Sequence, residues 1–266
     1  MRRNSGFTLI ELVVVLLVLG ILAGLVVPVV GWIRRSANYA NSSNNQGTLI
    51  ANLELYRTTF GNGSYPDRFD SLLTGTAVPS YFDSTLAGMI DVDTFDADEF
   101  ASINNSGRGL TTVMDHTDPL TGAIEGNPGN SGVVARAITA TSTMAFINPA
   151  ATGSALTNVN QLAAALGYEL DTATGKYRAI GATTPGDIRL LLLGIGPSNL
   201  ANGRTLQSPP FDTNVDTSKT YNRFIGVFTV YSPREGRRSQ LKAILCPRGR
   251  IINRNLSEFY QSNNPE

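Results

Sequence analysis

Residues 6–30 read GFTLIELVVVLLVLGILAGLVVPVV, and one carboxylate interrupts an otherwise apolar stretch. From Leu12 to Ile33 there is no charged residue, and as a helix rising about 1.5 Å per residue this run spans about 33 Å, enough to cross a bilayer core. Glu11 sits at its head. Ionised side chains are costly in hydrocarbon, roughly 2.5 to 3.5 kcal/mol for Asp near a helix centre. A Glu just inside the run, five residues after Gly6, therefore needs a reason.

The remainder of the chain is ordinary in composition. It has 266 residues, 42% hydrophobic and 16% charged, with 21 basic and 21 acidic side chains, so nothing in the balance points to a nucleic-acid surface or a disordered polyelectrolyte. No internal repeat is visible. Arg2 and Arg3 precede the apolar run and Arg34 and Arg35 follow it, so the basic flanks tie and do not set its orientation. A secretory signal would have a shorter apolar core and a small-x-small cleavage site; here the run ends in Pro28, Gly31 and Trp32.

The basic leader MRRNSG, the following FTLIEL and the long apolar run together resemble the class III signal of type IV pilins and pseudopilins. The resemblance rests on Gly6, on the hydrophobic Phe7 after it, and on Glu11 as the fifth residue counted from Phe7. It implies that a prepilin peptidase cuts between Gly6 and Phe7 and that the new amino group of Phe7 is methylated. It also implies a role for Glu11, pairing with the N-terminal ammonium of a neighbouring subunit as a filament grows, so that each charge offsets part of the other's desolvation. The alternative is a carboxylate snorkelling from a helix end to the interface. Gly20, Gly24 and Pro28 weaken the helix, which membranes tolerate; they mark a kink or close helix packing, or, by resemblance, a segment able to unwind during assembly.

Beyond the run the helix is expected to continue through a weak middle, SANYANSSNNQG (36–47), rich in residues that compete with helical hydrogen bonding. Helical spacing returns with Leu49, Leu53, Tyr56 and Phe60, a stripe expected to lie under Phe224, Val227 and Ala243 or their neighbours in C-terminal strands. Gly61 and Gly63 then stop the helix. The junction, with Tyr56, Gly61, Gly63, Tyr65, Pro66, Leu72 and Leu73, resembles that of major pseudopilins of type II secretion.

From residue 76 to 157 the chain reads as a loop-like insertion. A short helix is expected near Asn158, a hairpin turning at Gly175, a buried strand or helix at RLLLLGI, and strands at 223–232, 241–246 and 249–253. Enzyme signatures are missing: His116 is the only histidine and Cys246 the only cysteine, which removes local His-rich metal sites, CxxC pairs and an intrachain disulfide. LLLLGIGPSN has Asn199 where a dinucleotide fingerprint needs its third glycine. His116 is expected to be a solvated loop residue and Cys246 a buried small hydrophobe. Major pseudopilins often bind calcium in a C-terminal loop. Asp212, Asn214 and Asp216, and separately Asp91, Asp93, Asp96, Asp98 and Glu99, are oxygen-rich, but neither fits an EF-hand. Metal ligands are left unassigned; no cofactor is expected, with calcium the one candidate.

The expected fold is α+β and type IV pilin-like: a long N-terminal helix, transmembrane and then amphipathic, packed on a C-terminal antiparallel sheet with a long insertion. The expected divisions are leader 1–6, transmembrane and filament-core helix 7–33, its extramembrane continuation 34–60, and a globular head 61–266. The resemblance implies a non-enzymatic subunit of a type II secretion pseudopilus, single-pass in the bacterial inner membrane with a periplasmic head. Its partners would be the prepilin peptidase, copies of itself and other pseudopilins, an inner-membrane assembly platform and the lipid bilayer, with no nucleic acid. A type IV pilus subunit for adhesion, motility or DNA uptake is the first alternative, and an anchored extracytoplasmic enzyme or binding protein with a borrowed signal is the second.

Overall fold

A computed structural model describes residues 9–116, 132–213, 215 and 220–251, with side chains of 23–32 and 35 outside that description. The chain is α+β. Helix α1 runs from Leu9 to Thr59, 51 residues or about 77 Å at 1.5 Å per residue. The backbone stays helical through Gly20, Gly24 and Pro28. The polar middle does not break it either, because tertiary contacts override weak propensity. Ser42, Ser43 and Gln46 are buried; Ser42 Oγ donates to Asp212 Oδ2 at 3.4 Å and Gln46 Nε2 to the Arg250 carbonyl at 3.2 Å.

The helix stops where glycines allow it. The amides of Phe60 and Gly61 both return to the Tyr56 carbonyl and that of Gly63 to Arg57, with Gly63 in the left-handed region at φ 86°. A Cβ on Gly61 would run into the backbone of Ser64, so the tight reversal needs a glycine there.

The head follows as β1 (Phe69–Asp70), α2 (Ser84–Met89), β2 (Ile90–Thr94), α3 (Ala97–Asn104), β3 (Thr112–Asp115), β4 (Val134–Ala137), β5 (Thr143–Ile147), α4 (Gly153–Ala165), β6 (Tyr168–Asp171), β7 (Lys176–Ala179), β8 (Ile188–Gly194), β9 (Ile225–Tyr231) and β10 (Gln240–Leu245). The described strands form one sheet of 10, with β8 as its hub. Along one edge β8 pairs antiparallel with β9 from Ile188↔Tyr231 to Gly194↔Ile225. Along the other it meets three strands in turn: β7 at Ile188↔Tyr177, β5 at Leu191↔Phe146 and β1 at Gly194↔Asp70. RLLLLGI is thus a strand buried on both faces, which is why its sequence shows no alternation. Leu190 and Leu192 join one core, Leu191 and Leu193 the other. Fully burying each such side chain contributes about 1.5 to 3 kcal/mol.

Helices cover both faces of the sheet. Leu49, Leu53 and Tyr56 of α1 and Ile103 of α3 pack on the face carrying Phe224, Phe228 and Ile244. Leu86 and Met89 of α2 and Ala155, Val159 and Leu162 of α4 pack on the opposite face with Val227 and Ala243. The partners of the α1 stripe are therefore the neighbours of Val227 and Ala243 rather than those residues, since adjacent strand positions point to opposite faces. Phe60, expected within the stripe, lies just past the helix end at Thr59 and is 51% exposed.

Three further expectations need correction. The described part of 76–157 is not loop-like: it supplies α2, β2, α3, β3, β4, β5 and the start of α4. The sheet is accordingly not confined to the C-terminal third, and β1 and β3 pair parallel. Helix α4 starts at Gly153 after Thr152, with Asn158 buried inside it; Ala155, Val159 and Leu162 at helical spacing give it an apolar face reaching further back than NVNQLAAALGY showed. The hairpin turning at Gly175 is present as β6 and β7. Of the third C-terminal strand, only the bridge Leu245↔Ile251 lies among the described residues.

Candidate functional site

Among the described residues, nothing covers α1 from Leu9 to Leu22. The large apolar side chains from Leu9 to Leu22 are 47 to 80% exposed. They point in every direction round the helix, and a helix apolar all round is built for burial in hydrocarbon or among other helices. Soluble monomers rarely expose apolar patches beyond a few hundred Å². Among the described residues no helix is long and apolar enough to cross a membrane; the run Leu12 to Ile33 continues through 23–32, outside the set of described side chains.

Glu11 lies in the first turn of α1, exposed among these apolar neighbours. A carboxylate there is favoured by the free amides and dipole of the helix start. A Cβ added at Gly20 would meet nothing within 4 Å, so no contact among the described residues requires glycine at that position. Gly24 and Pro28 continue the helical backbone. Gly6 and Phe7 fall outside the described residues.

The geometry thus isolates an exposed apolar rod, headed by one acid, joined to a head with its own cores. Residues 1–27 match the prokaryotic N-terminal methylation motif. That motif supports a type IV pilin-like chain; it implies processing by a prepilin peptidase, membrane anchoring through the N-terminus and assembly into a pilin-like filament. It covers the rod's beginning and none of the head. Nothing matches among the curated proteins or the solved structures.

The head holds one polar cluster that sequence reasoning missed. His116, expected in solvent, is buried at the end of β3. Its Nε2 lies 2.7 Å from Asp70 Oδ1 on the adjacent β1, and its Nδ1 lies 2.6 Å from the Tyr81 hydroxyl. Asp70 also accepts from the amides of Leu72 (3.0 Å) and Gly132 (2.8 Å) and from the Tyr221 hydroxyl (3.2 Å). Burial alone would raise the Asp70 pKa; the charge and hydrogen bond of His116 and the two amides outweigh it and hold the carboxyl below its ordinary value. Burial, then the charge of Asp70, pushes Tyr81 and Tyr221 up.

Both phenols therefore stay protonated at neutral pH, and the rings of Phe82 and Tyr221 close over the imidazole at 5.7 Å. The close approach needs glycine at 194: a Cβ there would strike the Tyr221 hydroxyl and Asp70. The cluster knots β1, β3 and the 79–82 loop together. A signal existed in TTVMDH, where the histidine directly follows a strand-like run.

The acidic runs have internal work. Asp96 caps α3 in a capping box with Glu99. Arg189 reaches Asp93 at 2.9 Å and Glu99 at 3.1 Å, and Lys176 lies 3.5 Å from Asp96. Asp212 is buried against Ser42; Asn214 and Asp216 lie outside the described residues. No group of three or more His, Cys, Asp or Glu suited to a metal occurs among the described residues. Cys246 is buried, and burial pushes its thiol up to about 11, as for a core side chain.

Proposed function

We propose that this chain is a structural subunit of a type II secretion pseudopilus. Its apolar rod anchors it in the bacterial inner membrane with the head in the periplasm, and the same rod becomes filament core after Gly6 is removed and Phe7 methylated. An assembly platform in that membrane would add subunits, and the growing filament would push folded cargo outward. The chain acts mechanically, without catalysis or a cofactor. The observation that carries the reading is the methylation motif at 1–27 continuing into an apolar surface exposed on every side from Leu9 to Leu22. The glycine stop of α1 followed by Tyr65 and Pro66, and the single cysteine, favour a secretion subunit over a disulfide-closed adhesive pilin.

A type IV pilus subunit is the second reading. The motif at 1–27 serves it equally, and the elements α2 to β5, which enlarge the head beyond that of compact major pseudopilins, count against a major pseudopilin.

Mass spectrometry of the chain extracted from its own membranes tests processing, with an N-methylated Phe7 expected at the N-terminus. An intact Met1, or a start beyond Trp32, would overturn the reading. Deleting the gene then separates the two systems: loss of a secreted protein with motility and adhesion intact supports the pseudopilus, and the converse supports the pilus.

A further inference from the structure

Two oppositely charged faces lie at the two ends of α3. At its start, Asp93 of β2 and Glu99 of the first turn both bond Arg189, Asp96 and Glu99 both bond Lys176, Asp98 lies in the same turn, and Asp91 lies two residues before Asp93 on the strand. Asp91 and Asp98 are exposed and make no ion pair among the described residues. Just past the other end, Arg108 stands exposed on a turn between Gly107 and Gly109, likewise without an ion pair among the described residues.

Arg108 borders an open groove of about 410 Å³ lined by Tyr56, Phe60, Tyr65 and Leu200. Arg204 spreads over the Tyr56 and Phe60 rings, 5.8 and 5.7 Å from their centroids. Asp67 lies in the groove wall, where it accepts from Thr111 and Thr112, and Glu54 pairs with Arg57 and accepts from Tyr65. Arg108 and Arg204 outnumber Asp67 there, which leaves the groove mouth net cationic, and it presents the half-exposed ring of Phe60.

The eight residues of α3 separate the two faces by about 12 Å, beyond the Debye length of about 8 Å at physiological salt, so they do not neutralise each other within one chain. The chain as a whole has no net charge. What complements each face is the other face on another copy. We propose that the acidic face around Asp91, Asp93 and Asp98 of one copy docks on the groove of Arg108, Arg204 and Phe60 of the next. The contact uses different surfaces on its two sides, and such heterologous contacts propagate into open helical assemblies rather than closed pairs. Charge complementarity fixes its register and rejects the like-charged alternative. The inference rests on the filament reading above and adds which parts of the head meet.

The test uses the full chain assembled with its own processing and assembly machinery, and compares wild type, Arg108→Glu, Asp98→Lys and the double variant for sedimentable filaments. Each single reversal is expected to lower filament yield at least about tenfold, and the double to return it to within about threefold of wild type, since it restores opposite charges across the contact. Unchanged yield in both single variants, or a double no better than either single, overturns the docking while leaving the filament reading in place. Normal filaments with lost export would assign the groove to a different protein and overturn it as well. Absence of any filament from wild type would overturn both.

Discussion

His116 Nε2 and Asp70 Oδ1 are 2.7 Å apart, and both side chains are only 1% exposed. An ionised carboxylate accepts and does not donate, so Nε2 carries the hydrogen between them. Asp70 gathers four donors in all: Leu72 just past β1, His116 just past β3, Gly132 before β4 and Tyr221 before β9. Removing one partner of such a set leaves the others desolvated and unmatched, which costs more than the bond contributed.

Asp70→Asn is expected to lower the stability of a head fragment starting near Ser36 by about 2 to 5 kcal/mol at pH 7. The pH dependence has a defined sign. The folded-state pKa of Asp70 is depressed, so its stabilisation is fully present above the unfolded value of about 3.9 and is lost as pH falls through the lower folded value. The gap between wild type and variant should hold from pH 7 down to about 5 and shrink below about 4. Denaturant midpoints at several pH values check this; a gap that stays constant to pH 3 would mean that the carboxylate charge contributes nothing.

Leu53 lies on α1, fully buried, and Phe60 lies just past the helix end, 51% exposed. Leu53→Ala should therefore cost the same fragment about 2 to 5 kcal/mol through lost burial and a residual cavity, and Phe60→Ala less than about 0.5 kcal/mol. Equal shifts in urea midpoint for the two variants would contradict the packing of α1 on the sheet. In the assembled filament the ranking changes, because the proposed docking covers Phe60.

The long helix, its glycine stop, the β6–β7 hairpin and strands β9 and β10 were legible because local periodicity and turn chemistry encode them. Insertion elements were not. Strands of four or five residues such as β3 and β5 carry too few alternations to register, and they are held by pairing to partners far along the chain. His116 was misread for a related reason: its burial comes from Asp70, Tyr81 and Tyr221, all at least 35 positions away, and only the folded chain joins them. The weak segment 36–47 likewise gave no sign that Ser42 and Gln46 would be buried with Asp212 and Arg250 as partners. The methylation motif at 1–27, which contains Gly6, Phe7 and Glu11, was legible because such a motif is read as linear sequence and does not depend on the head.

Glu11 decides whether the rod is an assembly device or only an anchor. If its carboxylate pairs with the methylated amino group of a neighbouring Phe7, Glu11→Ala should insert and be cut normally and yet fail to enter filaments. Glu11→Leu should insert at least as well as wild type, because it removes a polar group from the apolar run, and should fail in the same way. Anchoring and assembly would then move in opposite directions, which a general loss of helix stability cannot produce. Membrane fractionation, N-terminal mass spectrometry and filament yield read the three steps separately. Wild-type filament yield from either variant would remove the pairing role and leave Glu11 a carboxylate reaching from a helix end to the interface.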